Sequence, residues 1–554
     1  MPSNAHLERA RNHGVNPLVY WLVRASFQSF FHVYFRLSRI GREHIPQSGP
    51  VIFAANHRSF LDPFVIATMV RRPMYYVAKR ELFLPRLQGW FLNALGAFPI
   101  DRGNADEDAM STARAILERG DCVLIFPEGT RVRPGALGRP KRGVGRLALE
   151  TGAPIVPVAV IGTERVRRGW RIRPHKIRIR AGRAMQFPQV DKPSAELAGA
   201  VTDRIWPNVM LQWEWLGGLP PVRRAAVVGA GAWGTSIAVA LQRSGIEVQL
   251  GTRTAAQAAE ITAAGGENPR YLPGVILPEE LRVGRAADLD LESADLVVFA
   301  VPSNDLPAAV AEHGARVRSR AGVLVLSKGV VTADGRTPVE YVAERVATDA
   351  VGCLAGPGHA IDAVVNGASL VAASADPAFL QQLRDVLGAA GFQIEATDDV
   401  IGVELAATAK NAAVLAASAA AVAGPNAAGA AAGKVFGEIA DYATRLRGGR
   451  PETFTGLAGA GDLVATVVEA SSRNRRAGEL LGRGVARADI EPQLGQTAES
   501  LHVVPLIARA MESAGVRAPA LAGLAAVVEG VDDPAAWAQA ITAPTRPRRA
   551  SRAA

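Results

Sequence analysis

His57 and Asp62, in the run Asn56-His57-Arg58-Ser59-Phe60-Leu61-Asp62, are residue types that can do chemistry together. Five positions on an ideal helix amount to about 140°, so the two would not share a helical face. With His57 in the turn ahead of a helix and Asp62 in the first turns, they can meet. The carboxylate then holds one ring nitrogen and leaves the other to take a proton from an alcohol. Such a pair is more often structural, and a second element adds to it. Phe126-Pro127-Glu128-Gly129-Thr130-Arg131 follows an apolar run, with a glycine that lets backbone approach a ligand and an arginine whose planar fork suits phosphate. Between them lies Gly96-Ala97-Phe98-Pro99-Ile100-Asp101-Arg102, and Lys79 and Arg80 add positive charge.

A second set of residues begins at Gly229-Ala230-Gly231-Ala232-Trp233-Gly234, directly after the apolar run Ala225–Val228. A glycine turn between strand and helix gives a tight bend, close approach to a pyrophosphate and close helix packing. The acidic residue expected about 20 positions later to hold ribose hydroxyls is missing. Leu250-Gly251-Thr252-Arg253 stands there instead, and Arg253 can pair with a 2′-phosphate, so NADPH is expected ahead of NADH; the alternative is that Arg253 points into solvent. Lys328 and Lys410 sit in Gly- and Ala-rich apolar settings, where burial lowers a lysine's pKa and suits it to proton transfer. Gly356-Pro357-Gly358-His359-Ala360, Gly459-Ala460-Gly461-Asp462-Leu463 and Ser472-Arg473-Asn474-Arg475-Arg476 are further polar blocks in the same half.

The elements that must position these residues divide the chain. The first half alternates short apolar runs with helical patterns: strands at Pro50–Ala54, Asp121–Phe126, Pro154–Ile161 and Lys176–Ala181, and a helix at Ser59–Val70. This is an α/β pattern. After Ala225 come strand, glycine turn, helix and strand, with more buried strands at Asp295–Val301 and Gly322–Leu326, and beyond about residue 400 the pattern is helical and Ala-rich. The expected organisation is an α/β domain over 1–205, a Trp-, Gly- and Pro-rich linker over 206–222, a Rossmann dinucleotide-binding domain over 223–400, an all-helical substrate domain over 401–542 and a basic disordered tail over 543–554.

Charge follows the same division. Residues 1–222 hold 32 Lys and Arg against 17 Asp and Glu, and residues 223–554 hold 30 against 35. A basic half suggests an anionic membrane surface or nucleic acid, but no nucleic-acid motif supports the latter. Asn16–Leu37 is apolar and aromatic yet interrupted by Arg24, His32 and Arg36, whereas a spanning helix wants about 20 predominantly apolar residues. Two readings stand side by side: a helix lying in a membrane interface, or one packed on its own domain. Asn411–Gly433 reads as a buried helix and turn. Hydrophobic residues at 49% and charged ones at 21% exclude wholesale disorder. The two cysteines, Cys122 and Cys353, can build neither a disulfide framework nor a Cys-rich zinc site, and no metal ligand set is read from the sequence. The start lacks an apolar signal core, so a cytoplasmic protein is expected, peripherally associated with the inner face of the membrane.

NHRSFLD, FPIDR, FPEGTR and PIVPV, in that order over about residues 30–185, resemble the four blocks of the glycerophospholipid acyltransferase family, in particular 1-acyl-sn-glycerol-3-phosphate acyltransferases. The resemblance implies His57 as general base on the acceptor hydroxyl, Asp62 orienting it, and Arg102, Glu128, Gly129 and Arg131 binding the acceptor phosphate. Partners implied are acyl-CoA or acyl-carrier protein as donor, lysophosphatidic acid as acceptor and an anionic membrane surface. Free glycerol 3-phosphate as acceptor, and a role as membrane anchor alone, remain open.

The second half, from about 223 to 540, is similar to the NAD(P)-dependent sn-glycerol-3-phosphate dehydrogenase family, most specifically in SSRNRR and GLAGAGDL. That implies reversible reduction of dihydroxyacetone phosphate to glycerol 3-phosphate. Lys410 would be the proton donor, Lys328 would hold and polarise the substrate, and Asp462 would order the lysine pair. Gly356, Gly358, Ser472, Arg473 and Asn474 would bind substrate. Gly229, Gly231, Trp233, Gly234, Arg253, Lys328, Ala360, Arg473, Thr497 and Glu499 would form the cofactor site. One departure stands out: Gly433-Lys434 occupies the place of a usual Thr-Arg pair. A homodimer is one open assembly state. The two resemblances together imply a fusion of two enzymes of glycerophospholipid synthesis.

Overall fold

The computed structural model describes residues 2–100, 107–132, 137–168, 171–219, 221–469 and 472–543. The chain forms two compact units that divide between residues 220 and 221.

In the first unit, helices α1 (Pro2–Asn12) and α2 (Pro17–Val33) precede the strands β1 (Ser38–Ile40), β2 (Val51–Ala55), β3 (Met74–Lys79), β4 (Ala97–Ile100), β5 (Cys122–Ile125) and β6 (Ile155–Ile161). A short hairpin, β7 (Arg167–Arg168) and β8 (Arg171–Ile172), and a last strand, β9 (Arg178–Ala181), follow. Seven strands join one sheet in the order β1-β9-β6-β2-β5-β3-β4. β6, β2, β5, β3 and β4 are parallel, β9 runs antiparallel to β6, and β1 runs parallel to β9. Helices α3 (Asp62–Ala67), α4 (Arg86–Ala94), α5 (Glu107–Glu118), α6 (Gly143–Thr151) and α7 (Ala195–Trp215) accompany it. All of β2 is buried, as a central parallel strand covered on both faces requires. Its alternate side chains feed two cores, Phe53 packing with Ile66, Met69 and Val158, and Ile52 with Phe98, Ile116 and Ile205.

Two expectations change here. The helix expected over Ser59–Val70 is α3, which begins at Asp62, because the Asp62 carboxylate accepts the Arg58 and Ser59 N–H groups and winds that segment into a turn. The segment expected as linker from 206 continues α7 to Trp215, burying Trp206, Val209 and Trp213, so the tryptophans belong to the core of the first unit.

The second unit opens with β10 (Arg224–Val228), α8 (Ala232–Arg243), β11 (Glu247–Thr252) and α9 (Ala255–Ala263). A small hairpin of β12 (Glu267–Asn268) and β13 (Leu272–Ile276) comes next, then β14 (Arg282–Arg285), β15 (Leu296–Phe299), α10 (Leu306–His313), β16 (Gly322–Val325) and α11 (Pro338–Ala343). β17 (Val351–Ala355), α12 (Ala360–Asn366), β18 (Ser369–Ser374), α13 (Pro377–Ala389) and β19 (Gln393–Thr397) complete an eight-stranded sheet in the order β14-β11-β10-β15-β16-β17-β18-β19. It is parallel except for β17 against β18. This is the expected doubly wound α/β arrangement, whose ligands sit beyond the carboxyl ends of the strands.

The remaining helices are α14 (Val400–Ala420), α15 (Pro425–Leu446), α16 (Pro451–Thr455), α17 (Asp462–Val468), α18 (Arg473–Gly482), α19 (Arg487–Leu494), α20 (Glu499–Ser513), α21 (Pro519–Val528) and α22 (Pro534–Thr542). The segment Val400–Ala423 is long and apolar enough to cross a membrane, but 83% of its most apolar window is buried inside the protein. Its alanines let α15 and α18 pack closely, and it carries Lys410 into the interior. The basic tail expected over 543–554 lies, from 544 on, outside the described residues.

Candidate active sites

β2 and β5 are adjacent parallel strands, so the turns after them leave the same edge of the sheet. His57 follows β2, and its carbonyl accepts the Val132 N–H at 2.9 Å from the turn after β5. Asn56 fixes the exit from β2 by a pair of bonds to Val160 on β6, one donated from Nδ2 at 3.0 Å and one accepted at Oδ1 at 2.8 Å.

The imidazole and its carboxylate meet. His57 Nδ1 lies 2.9 Å from Asp62 Oδ2. The same oxygen accepts the Arg58 and Ser59 N–H groups at 2.6 and 2.7 Å, and Oδ1 accepts the Thr163 hydroxyl at 2.6 Å. Four donors thus hold one carboxylate. With Nδ1–H donating to Asp62, Nε2 is left as the acceptor for a substrate proton. The ring stacks on Phe126 at 4.0 Å between centroids, which fixes its plane. Arg58, buried and lowered in pKa by that burial, lies over the Trp213 ring at 4.8 Å and ties α7 to this turn.

Glu128 is placed differently from its expected role. Oε2 accepts the His57 N–H at 2.7 Å and Oε1 accepts the Gly138 N–H at 2.8 Å, in a buried setting that raises its pKa. Both Glu128 oxygens are thus taken by backbone N–H groups, which places the carboxylate to hold the histidine turn. Arg131 is exposed beside it. The Lys141 side chain lies over Gly129, where an added Cβ would meet its Cε at 3.1 Å. Arg102 lies outside the described residues.

In the second unit, a cavity of about 1770 Å³ runs from the glycine turn to the lysines. Gly229 has φ +113°, and a Cβ at Gly234 would strike the Gly229 carbonyl at 1.9 Å, so α8 starts hard against the turn. Gly231 has nothing within 4 Å of its Cβ direction and opens onto the cavity. A Cβ at Gly358 would meet the Trp233 ring at 2.8 Å, so the indole lies on that glycine. Ser236 donates to the Ala360 carbonyl at 2.9 Å, fixing α12 beside α8. This open glycine cradle at a helix N-terminus fits a dinucleotide pyrophosphate. Arg253 is 80% exposed along its side chain and reaches Asp305 at 3.2 Å at the rim.

Lys328 Nζ and Lys410 Nζ each lie 3.2 Å from Asp462 Oδ2. A π-helical turn, Leu457–Gly461, delivers Asp462 to this point; such turns recur at functional sites. Burial and the neighbouring Lys328 charge lower the Lys410 pKa to about 8, against the pull of Asp462. Lys410 also donates to the Thr466 hydroxyl at 3.1 Å. Burial raises the Glu499 carboxyl, and the Arg473, Lys328 and Lys410 charges oppose that. Arg473 reaches the Thr497 carbonyl at 3.3 Å, and Ser472 caps the N-terminus of α18. Asn474 donates to Asn411 at 2.9 Å and accepts from Ser500 at 2.8 Å. Gly356, φ +121°, shapes the approach from β17 but does not line the cavity. The Gly433-Lys434 departure falls on α15, away from the cavity lining, where Lys434 donates to the Ile541 carbonyl.

A Rossmann sheet that supplies Lys328, sharing one cavity with a helical bundle that supplies Lys410, Asp462 and Arg473, defines a nicotinamide-dependent dehydrogenase. Residues 224–380 match the family model for the NAD-dependent glycerol-3-phosphate dehydrogenase N-terminus, and 399–539 that for its C-terminus. Residues 36–161 match the acyltransferase model. A glycerol-3-phosphate dehydrogenase (NAD(P)+) of Methylibium petroleiphilum is 36% identical over 322 residues, 56% of this chain and 94% of the relative. One of Methylobacterium radiotolerans is 37% identical, over 55% of this chain and 93% of the relative. The crystal structure of the Coxiella burnetii glycerol-3-phosphate dehydrogenase superposes with a TM-score of 0.53 at 29% identity, covering 58% of this chain and 99% of that one. The chain therefore belongs to the NAD(P)-dependent glycerol-3-phosphate dehydrogenase family and carries an acyltransferase domain ahead of it.

Thr163, Lys141, Thr466, Asn411 and Ser500 are site neighbours that the sequence reading did not single out as site residues. Thr466 had a readable signal, four positions after Asp462 on one helix; Thr163 had none, standing 101 positions from its partner.

Proposed function

We propose that the second unit reduces dihydroxyacetone phosphate to sn-glycerol 3-phosphate with NADPH ahead of NADH. The observation that carries this is the convergence of both lysines on Asp462 inside the dinucleotide cavity. When bound, the nicotinamide supplies hydride to the carbonyl carbon. Lys410, near pKa 8, gives its proton to the carbonyl oxygen, and Lys328 polarises that oxygen. The N-terminus of α18, with Arg473, takes the phosphate. Arg253 favours a 2′-phosphate at the ribose.

The first unit, in this reading, acylates 1-acyl-sn-glycerol 3-phosphate to phosphatidic acid, with an acyl-CoA or acyl-carrier-protein thioester as donor. His57 Nε2 takes the hydroxyl proton as the oxygen attacks the thioester carbonyl. The C–S bond breaks and the thiolate leaves with the proton. Arg131 and Lys141 attract the acceptor phosphate. Exposed apolar residues of α2 (Leu18, Leu22 and Val33) and around α4 (Leu84 and Leu87) support contact with the inner face of the membrane.

The test is full-length protein given NADPH, dihydroxyacetone phosphate, an acyl thioester and vesicles, with each acceptor supplied in turn. NADPH oxidation and phosphatidic acid formation are expected. No oxidation defeats the dehydrogenase reading, and faster acylation of free glycerol 3-phosphate defeats the acceptor assignment.

A further inference from the structure

The first unit holds a second cavity, about 330 Å³, lined by Arg42, Glu43, Gln47, Val70, Arg71 and Arg72 among others. It is not at the histidine. Arg42 follows the end of β1, and Gln47 precedes the start of β2. Because β1 runs with β9, and β9 against β6 and hence against β2, the end of β1 and the start of β2 share one sheet edge. His57 leaves the opposite edge.

Positive charge gathers in and beside this cavity: Arg42, Arg71 and Arg72 line it, and Arg24 and Arg39 stand close to them. Arg24, Arg39 and Arg42 donate to the carbonyls of Val70, Thr68 and Met69, just past the end of α3. A helix C-terminus carries about half a negative charge, so one arginine would suffice. Arg72 is spent on the Gly49, Gly120 and Pro46 carbonyls. Arg71 is exposed and, among the described residues, makes no hydrogen bond or ion pair. Glu43 is the one carboxylate lining the cavity, and none of these five arginines forms an ion pair with an acid among the described residues. Burial, then the charges of Arg42, Arg24 and Arg71, push the Arg39 guanidinium below its ordinary range.

We propose that this arginine-lined cavity binds a phosphate monoester group, presented by a lipid headgroup or by a phosphate free in solution. Guanidinium forks match phosphate oxygens, and a monoester brings up to two negative charges to a site short of them. Arg24 lies on α2, whose outward residues Leu18 and Leu22 are 79% and 67% exposed, so a bilayer on that helix would bring headgroups to the cavity. The lipid source rests on the membrane reading above; the phosphate site does not.

The test compares the full chain with Arg71→Gln, Arg42→Gln and, as a charge control on α7, Arg204→Gln. In one arm, binding is measured to phosphatidylcholine vesicles with and without phosphatidic acid. In the other, thermal stabilisation by inorganic phosphate is compared with chloride at equal ionic strength. Arg71→Gln is expected to weaken the headgroup-dependent or the phosphate-dependent effect about fivefold, with Arg204→Gln unchanged. Loss in the vesicle arm alone assigns the lipid source, and loss in the phosphate arm assigns the free one. If both Arg71→Gln and Arg42→Gln match the parent in both arms, the site is refuted. Dihydroxyacetone phosphate reduction and acyl transfer to detergent-dispersed acceptor should be unchanged in Arg71→Gln, which separates this result from any failure of the active-site assignments.

Discussion

Lys410 and Lys328 share a single oxygen of Asp462, each ammonium 3.2 Å from it. Two cations on one carboxylate leave a net positive charge in a buried place, so the more buried lysine is the one that gives up its proton. That is Lys410, at about pKa 8. Carbonyl reduction needs its protonated form and alcohol oxidation its neutral form. The kcat/KM for dihydroxyacetone phosphate should therefore fall as pH rises through about 8, while that for glycerol 3-phosphate oxidation should rise over the same range. Lys410→Met should lower kcat about 10²–10⁴-fold in both directions and remove both limbs. A pH profile unchanged in Lys410→Met would show that another group moves the proton.

Removing the shared carboxylate tests the same cluster from the other side. Asp462 opposes the fall in the Lys410 pKa, so Asp462→Asn should move the alkaline limb of reduction to lower pH and cut the rate at neutral pH. It also leaves the buried Lys410 and the partly buried Lys328 without their counter-ion, a loss of at most about 3–5 kcal/mol, the cost for fully buried pairs, less whatever Lys410 recovers by losing its proton. Calorimetry on the full chain should show the second unit melting earlier and the first unit unshifted. A limb that stays at its original pH would mean that Asp462 does not set the Lys410 charge.

The fold class and the residues of both candidate sites are legible because they sit where patterns break: an apolar strand ends and polar residues or a glycine follow. His57, Glu128 and Gly229 all stand at such ends. α7 was not legible as a helix beyond 205. The Gly-Pro cluster after Leu216 drew the boundary too early, although Trp206, Val209 and Trp213 already had helical spacing. Thr163 and the arginine cavity could not be read at all. They depend on which elements are neighbours: Arg39 stands on β1 and Arg24 on α2, with Arg42 following β1 and Arg71 following α3. The backbone bonds of Glu128 are not legible either, since a motif shows that a residue matters and not which way its oxygens face.

Glu128→Gln distinguishes the two roles. A positioning carboxylate that accepts two backbone N–H bonds loses one of them to the amide, which costs about 1–3 kcal/mol in a buried setting. Acyl transfer should fall chiefly in kcat, with acceptor KM near the parent value and dihydroxyacetone phosphate reduction untouched. A large rise in acceptor KM at constant kcat would restore the phosphate-binding role.

Cofactor choice turns on Arg253. Its exposed side chain can leave Asp305 for a 2′-phosphate at little cost, because exposed ion pairs contribute only about 0–1 kcal/mol. A charge-assisted contact of about 1.5–3 kcal/mol gives roughly tenfold or more discrimination. Arg253→Ala should reduce the ratio of kcat/KM for NADPH over NADH by about that factor, mainly by raising the KM for NADPH. An unchanged ratio would put the preference elsewhere in the cavity.

The share of bilayer contact made by α2 is expected to be apolar and so independent of headgroup charge. Leu18, Leu22 and Val33 lie outward on that helix at 79%, 67% and 82% exposure, whereas Tyr20 and Phe31 face the core. Immersing a leucine side chain is worth about 1.5–3 kcal/mol, so Leu18→Ser with Leu22→Ser should lower partitioning onto pure phosphatidylcholine vesicles at least tenfold. The fold should survive, since neither side chain packs in the interior. Acyl transfer from vesicle-embedded acceptor should drop with the partitioning, while transfer to detergent-dispersed acceptor stays at the parent rate. Because the vesicles carry no net charge, a loss here cannot come from the arginine cavity. Equal partitioning of the double variant and the parent would mean that α2 packs on its own unit without meeting lipid.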